Sequence, residues 1–440
     1  MPLLRKNSQA ILLNRIQQRS ARVGVIGLGY VGLPLAVAFA EAGFSVTGID
    51  VDPKKIAALC AGKNYIPDIP DRLVQELARS GKLRATGDFG AARSLDAVSI
   101  CVPTPLRKTR DPDISYIVHA TSELKKTLHP GQLIVLESTT YPGTTEELVL
   151  PALQSEKFRV GRDFFLAFSP ERIDPGNPRF GLKNTPKILG GVTPACTQVS
   201  AALYRHVADK VLEVSSSQTA EMVKLLENTF RAVNIGLVNE IAQICDKLKI
   251  NTWEVIDAAA SKPFGFMPFY PGPGLGGHCI PVDPHYLSWK LRSMNYTTRF
   301  IELASEINQE MPHYVFLKIQ AALNERKKPL KGARVLLLGV AYKKNVSDTR
   351  ESPAYDLAKL LEEAGASLSY SDPHVASWKT DLREYRSQKP NKVLLGRQDC
   401  VVILTDHEAF DYRGIVAASP LVVDTRNATK GLSQKKVVRL

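Results

Sequence analysis

The run Val23-Gly24-Val25-Ile26-Gly27-Leu28-Gly29-Tyr30-Val31-Gly32 constrains this chain more than any other stretch. Apolar β-formers lead into glycines spaced G-x-G-x-x-G, and a helical pattern follows over Leu33 to Ala42. A second strand, Ser45-Val46-Thr47-Gly48-Ile49, then ends at Asp50. Strand, tight turn, helix and strand in this order open a doubly wound α/β sheet. The three glycines turn the chain tightly, admit a pyrophosphate to the helix N-terminus, and let helix and strand pack closely. An acid ending the second strand accepts both ribose hydroxyls, so Asp50 favours NAD over a 2′-phosphorylated dinucleotide. Lys54 and Lys55 lie beside it and temper that preference.

Further α/β units follow. Ala97 to Val102, Leu133 to Glu137 and Phe164 to Phe168 are short apolar runs suited to buried parallel strands, with helical pattern between them. From Ser217 to about Leu248 the chain is amphipathic, free of proline, and periodic at helical spacing. So long a helix is unusual inside a domain, and a bridge between two domains that also serves as a dimer contact explains it simply. Beyond it, Arg334 to Ala341, a helix through Ala354 to Ala364, and Ser367 to Asp372 echo the first unit. Strands at Cys400 to Leu404 and Leu421 to Asp424 complete this smaller sheet. The second and third glycines of the fingerprint are missing there, so no second dinucleotide site is expected. The expected fold is α/β, with two Rossmann-like doubly wound domains joined by a long central helix. The expected division is a basic N-terminal arm (1–20), a NAD-binding domain (21–214), a central helical domain (215–325) and a C-terminal Rossmann-like domain (326–440).

At 440 residues two or three domains are natural, and 44% hydrophobic with 23% charged residues is ordinary for a soluble protein. No apolar run approaches the roughly 20 residues that span a bilayer. Asn14-Arg15 interrupts Ala10-Ile11-Leu12-Leu13, so no signal peptide is expected and the expected location is cytoplasmic. The 6 cysteines are far apart with no CxxC pair, which argues against disulfides and against a zinc site; no metal is expected. The net charge of +13 is dispersed, although Arg5, Lys6, Arg15, Arg19 and Arg22 cluster near the start. No basic stripe is interleaved with aromatics, so nucleic acid is not an expected partner. A solvated surface or a polyanionic small substrate accounts for the charge.

Cys279 stands out next. It lies in Pro271-Gly272-Pro273-Gly274-Leu275-Gly276-Gly277-His278-Cys279-Ile280-Pro281-Val282-Asp283-Pro284, too rich in glycine and proline for helix or inner strand. A thiol on such a loop can capture an aldehyde covalently; the plain alternative is a small buried hydrophobe. His278 is a weak candidate to sustain the thiolate, and Asp283 to orient it or a water. Lys224 and Asn228 share a helical face and suit a developing oxyanion, although Lys224 could equally pair with Glu221. Thr139 follows a strand and could hold a water or the cofactor, or cap the next helix. Glu171, also after a strand, is a candidate general base if unpaired. Lys343 and Arg350 lie on a basic loop where the degenerate phosphate turn would be, and could grip an anion.

Together these motifs, from about Arg22 to the C-terminus, resemble the nucleotide-sugar 6-dehydrogenases, the UDP-glucose/GDP-mannose dehydrogenase family. The resemblance implies NAD on the first domain, held by Gly27, Gly29, Tyr30, Val31, Gly32, Asp50, Lys55, Thr104 and Thr139. It implies UDP held mainly by the last domain, and a substrate set of Glu171, Arg172, Lys224, Asn228, Gly276, Lys343 and Arg350. Cys279 would be the nucleophile, Lys224 and Asn228 the oxyanion stabilisers, Asp283 and Thr139 the holders of a water, and Glu171 the aid to hydrolysis. The implied reaction takes the C6 alcohol to an aldehyde, a thiohemiacetal, a thioester and then the acid, with two NAD reduced per sugar. A homodimer or higher homo-oligomer is also implied.

UDP-glucose enzymes of this family typically carry Ser and Lys where His278 and Val282 stand, and Lys in place of Glu137. The segment Phe266 to Leu287 is more similar to bacterial and archaeal dehydrogenases of UDP-N-acetylhexosamines. The expected substrate is therefore UDP-N-acetylglucosamine, for a surface polysaccharide or glycan precursor, with UDP-N-acetylmannosamine, UDP-N-acetylgalactosamine and UDP-glucose as alternatives. A silent nucleotide-sugar-binding protein would not need Cys279, Lys224, Asn228 and Asp283 together. A two-electron 3-hydroxyacid dehydrogenase would need neither Cys279 nor the last α/β unit.

Overall fold

The computed structural model describes residues 8–67, 69–107, 111–156, 158–174, 177, 179–277, 279–432 and 434–440. It divides into two compact units, one of residues up to Glu227 with His285–Tyr296, the other of Asn228–Pro284 with Thr297–Leu440.

The first unit is built on a sheet of β1 (Arg22–Ile26), β2 (Ser45–Ile49), β3 (Leu83–Thr86), β4 (Ala97–Ile100), β5 (Leu133–Leu136), β6 (Phe165–Phe168), β7 (Lys187–Gly191) and β8 (Val211–Glu213). Their order is β3-β2-β1-β4-β5-β6-β7-β8. The strands pair in parallel except β7 against β6. Every residue of β4, β5 and β6 is buried. That follows from helices covering both faces, which leaves no strand position polar by default. Successive residues of β5 accordingly feed opposite cores, Leu133 and Val135 with Phe39 and Leu33, Ile134 and Leu136 with Ile100 and Phe168. Because the chain crosses from β3 back to β4 beside β1, the topological switch lies at the carboxyl ends of β1 and β4, where such sheets bind ligands.

Residues 8–17, within the expected basic arm, pack onto the first unit. Ser8–Gln17 is a helix whose Leu12 and Ile16 are 3% and 1% exposed and join the core that holds Phe39 and Val23. Arg15 on it forms an ion pair with Asp96. Leu12 and Ile16 lie four apart on one helical face, so a short amphipathic stripe buries itself here although the composition reads as basic and polar.

The second unit carries β9 (Arg334–Leu338), β10 (Ser367–Ser371), a β11 (Ser377–Lys379) and β12 (Glu384–Arg386) hairpin, β13 (Cys400–Ile403), β14 (Val422–Asp424) and β15 (Val437–Arg439). The parallel sheet runs β10-β9-β13-β14-β15. Its turn copies that of the first unit. Gly27 N–H donates to the Ile49 carbonyl over 2.8 Å, and Gly339 N–H donates to Ser371 over 2.9 Å. Both glycines have positive φ, 89° and 79°.

The long helix is Ser217–Leu248, 32 residues and so about 48 Å. The boundary between the units falls inside it, after Glu227. No proline interrupts its hydrogen-bond ladder.

Candidate active site

The glycine turn of the first unit is shaped around backbone. A Cβ on Gly27 would lie 2.6 Å from the Cys101 carbonyl oxygen, and one on Gly32 only 1.8 Å from that of Gly27. At Gly29 a Cβ would meet nothing within 4 Å, so that position faces open space. The helix Gly32–Glu41 begins at Val31 with no side-chain cap, which leaves its first N–H groups for an anion. Asp50, 6% exposed, accepts from Leu28 N–H at 2.7 Å, from Asp52 N–H at 2.9 Å and from the Lys55 ammonium at 3.1 Å. These features fit a dinucleotide: an open cradle over glycine, an uncapped helix and an acid at the ribose position. Tyr30 is 48% exposed beside the turn, and the buried Thr104 offers its carbonyl to the Tyr286 hydroxyl.

At the carboxyl end of β5, Ser138 Oγ donates to the Val102 carbonyl over 2.7 Å and clamps two strand ends together. Thr139 beyond it is half-buried. The next helical segment is Thr145–Val149, too far along for Thr139 to cap. Glu171 after β6 is not the unpaired carboxylate the sequence allowed. Lys187 lies 3.0 Å from it, and the N–H groups of Arg172 and Ile173 donate to it over 2.8 and 2.7 Å. Burial raises the Glu171 carboxyl, but the Lys187 ammonium, those donors and the charge of Lys224 prevail and hold it below the usual range. Arg172 itself is drawn to Glu227 at 2.6 Å and to the Pro186 carbonyl at 2.6 Å.

Lys224 does not have Glu221 for a partner. Glu221, 1% exposed, accepts from Gly143 N–H at 2.6 Å and from Thr145 N–H and Oγ1 at 2.9 and 2.7 Å. It therefore anchors the loop after Thr139 to the long helix. Burial pushes Glu221 up to about 7 despite these donors. Lys224, 8% exposed, is left to act electrostatically on Glu171.

In the second unit, Asn228 donates its amide to Asp283 over 2.6 Å, with the two residues 8% and 2% exposed. Asp283 opens the helix Asp283–Arg292, and its N–H donates to the Cys279 carbonyl over 2.8 Å. The turn thus ties the backbone of the thiol-bearing residue to that of the residue whose carboxylate Asn228 orients. Cys279 is exposed, whereas Cys101, Cys196, Cys245 and Cys400 are buried. The buried-hydrophobe alternative is thereby excluded for Cys279; His278 lies outside the described residues.

The loop before Cys279 is pinned by buried amides. Asn239 accepts from Gly272 N–H at 3.0 Å and donates to Asn308 at 2.8 Å, and Asn308 donates to the Ala232 carbonyl at 3.1 Å. Gly276 packs so tightly that a Cβ would lie 2.7 Å from Tyr342 Cβ and 2.9 Å from the Glu351 carbonyl oxygen. Gly277 N–H donates to the Arg350 carbonyl over 3.1 Å. The cysteine loop and the basic loop of Lys343 and Arg350 are therefore one surface. Arg350, about half exposed, pairs with Asp348 at 2.7 Å. Below this loop Asp372 occupies the place of Asp50, but its carboxylate is taken up by Val340 N–H at 2.8 Å, Ala341 N–H at 3.1 Å and His407 at 3.1 Å.

Sequence reading missed Lys187, Tyr204, Asn239 and His407. A lysine opening an apolar strand was the available sign for Lys187, since only a buried acid makes such a placement tolerable. The asparagines of long helices gave no sign, because polar residues on an amphipathic helix read as solvent-facing.

Residues 21–208 match the UDP-glucose/GDP-mannose dehydrogenase family, NAD binding domain, residues 218–310 its central domain, and residues 336–431 its UDP binding domain. The chain belongs to the UDP-glucose/GDP-mannose dehydrogenase family. It is 36% identical over 395 residues to a UDP-N-acetyl-D-mannosamine dehydrogenase of Methanococcus maripaludis, covering 88% of this chain and 87% of that protein. It is 35% identical over 400 residues to a UDP-N-acetyl-D-glucosamine 6-dehydrogenase of Pseudomonas aeruginosa, covering 90% and 93%. Among solved structures, a UDP-D-ManNAc dehydrogenase from Pyrococcus horikoshii superposes with a TM-score of 0.85 at 32% identity, over 95% of this chain and 98% of that one. NAD is the cofactor of the first domain, and the last domain is of the UDP-binding type. Among the described residues no helix is long and apolar enough to cross a membrane.

Proposed function

We propose that this chain oxidises the C6 hydroxyl of a UDP-N-acetylhexosamine, UDP-N-acetylglucosamine first, to the uronic acid in a four-electron reaction, for glycan precursor synthesis. The observation that carries it is the exposed Cys279 held by a turn to the buried Asn228–Asp283 pair. An exposed thiol whose backbone is tied to that of a residue with a desolvated carboxyl group suits nucleophilic chemistry better than an inert loop.

Bound NAD would supply the hydride acceptor for both oxidations at C6. Cys279 adds as thiolate to the C6 aldehyde, and Lys224 and Asn228 donate to the oxyanion that forms. After the second oxidation the thioester is hydrolysed: Asp283 and Thr139 hold the water, Glu171 takes its proton, the C–S bond breaks, and sulfur leaves as thiolate. Gly27, Gly29, Tyr30, Val31, Gly32, Asp50, Lys55 and Thr104 hold the cofactor in this reading. Lys343, Arg350 and the backbone at Gly276 hold the nucleotide sugar, and Arg172 shapes the sugar site through Glu227. Residues 21–214, 215–325 and 326–440 serve as NAD, central and UDP-sugar domains. The likeness to UDP-N-acetylmannosamine dehydrogenases supports that epimer as a second substrate reading.

A homodimer is part of the same reading. Phe230, Leu237, Ile244 and Leu248 on the long helix are 46%, 53%, 44% and 62% exposed, and the first three recur every seventh residue. Such a seam suits a helix–helix contact between copies. NADH formation across a panel of UDP-N-acetylhexosamines, UDP-glucose and GDP-mannose tests the substrate; turnover of UDP-glucose alone contradicts it.

A further inference from the structure

The carboxyl ends of β5 and β6 and the start of β7 carry a buried ionic cluster in which only Glu171 has so far been given a task. Lys187 places its ammonium 2.6 Å from Glu137 and 3.0 Å from Glu171, and the three residues are 5%, 1% and 7% exposed. The Tyr204 hydroxyl donates to the other oxygen of Glu137, and Ser99 Oγ lies 2.9 Å from that hydroxyl. Glu171 is thus gripped on two sides: one oxygen by the N–H groups of Arg172 and Ile173, the other by Lys187.

We propose that Lys187 is a positioning residue for the hydrolytic step: tethered by Glu137 and Tyr204, it fixes the Glu171 carboxylate in the orientation and charge state that receive a proton from the attacking water. This rests on the role proposed for Glu171. In the step itself the water oxygen bonds to C6 of the thioester and its proton passes to Glu171. The C–S bond then breaks, Cys279 leaves as thiolate, and Glu171 returns the proton to solvent.

The chemistry of the cluster favours this division of labour. Two carboxylates and one ammonium share a desolvated space, so a proton entering it settles on whichever acid is less well served. Glu137 is pushed up by burial, with Lys187 opposing, whereas burial of Glu171 is outweighed by Lys187, the backbone donors and Lys224. Cys101 and Tyr204, the other titratable groups facing the cluster, are both raised by burial and stay neutral. Glu171, which alone of the two also receives backbone N–H donors, is the acid held in place, and Glu137, gripped by Lys187 and the Tyr204 hydroxyl, is the anchor. A lysine that merely neutralised Glu137 would not need to reach Glu171 as well.

The test uses the full chain with NAD and a turned-over UDP-sugar. Lys187→Met and the double variant Lys187→Met/Glu137→Gln are compared with Lys187→Arg and Glu171→Gln. The double variant removes the buried charge pair together, so it keeps the test open if Lys187→Met alone fails to fold. Both Met-containing variants should lose about tenfold or more in kcat with KM for sugar and NAD within about threefold. They should accumulate a sugar acyl adduct on the Cys279 peptide, and the acid limb of the kcat profile should move to higher pH. Lys187→Arg should restore kcat to within about threefold, because a guanidinium can bridge two carboxylates. Wild-type kcat and pH profile in the double variant overturn the proposal and reduce Lys187 to a counter-ion for Glu137. An unimpaired hydrolytic step in Glu171→Gln overturns instead the role of Glu171, whatever Lys187 does.

Discussion

Asn228 donates its side-chain amide to the Asp283 carboxylate over 2.6 Å, and neither side chain is open to solvent. Asp283 is four residues after Cys279 and tied to it by a backbone hydrogen bond. One residue of the long helix therefore sets the carboxylate nearest in sequence to the thiol. Asn228→Ala should leave Asp283 buried without that donor, at a stability loss of about 1.5–3 kcal/mol by urea denaturation. It should also lower kcat by about 10²-fold, since an oxyanion donor is lost as well. Unchanged stability and kcat would show the pair to be incidental.

Glu221 gives a pH signature. Its carboxyl is raised from 4.5 to about 7 by burial, so the folded protein binds the proton more tightly than the unfolded chain does. The stability this contributes is full below about 4.5 and is lost as pH rises through about 7. The stability of the wild-type chain relative to Glu221→Gln should fall between pH 4.5 and 7, as measured by denaturant midpoints at both ends. A difference that rises across this window contradicts the sign.

Asp50 should make NAD strongly preferred. Repulsion of a 2′-phosphate at a partly buried acid exceeds about 1.4 kcal/mol, a tenfold effect in kcat/KM. The Lys55 ammonium at 3.1 Å from Asp50 moderates this, so Lys55→Ala should widen the preference. Equal kcat/KM for NAD and NADP contradicts the assignment.

Arg350→Ala should raise KM for the UDP-sugar by about 10–100-fold with a smaller change in kcat, because charge-assisted hydrogen bonds contribute about 1.5–3 kcal/mol each. The pair with Asp348 must open for the guanidinium to reach a phosphate. Asp348→Asn should therefore lower KM. Unchanged KM in both variants would reduce this loop to surface.

The sequence was most informative where one residue type has one physical use. Gly27 and Gly32 admit no side chain, and their spacing alone placed β1, the turn and the helix. The long helix was bounded correctly because Ser217 to Leu248 has no proline to mistake for an end. Glu171 was harder. A lone acid after a strand does not announce its counter-ion, and Lys187 is 16 residues away on another strand. The same holds for Glu221, whose partners Gly143 and Thr145 are brought to it only by the fold. In the N-terminal helix, Leu12 and Ile16 carried the packing signal, but the surrounding charge masked it. Periodicity therefore located elements well and pairings poorly, since pairings depend on contacts distant in sequence.

The central claim is that the exposed Cys279 carries the sugar between two oxidations. The most direct measurement is NADH formed per uronic acid released by Cys279→Ser, followed over many turnovers beside the wild-type chain. A serine hydroxyl ionises far less readily than a thiol of pKa about 8.5, and an alkoxide leaves an oxygen ester more slowly than a thiolate leaves a thioester. The account predicts two NADH per acid for the wild type and, for Cys279→Ser, no more than a partial first turnover with an adduct held on residue 279. Sustained four-electron turnover by Cys279→Ser at near wild-type rate would contradict it.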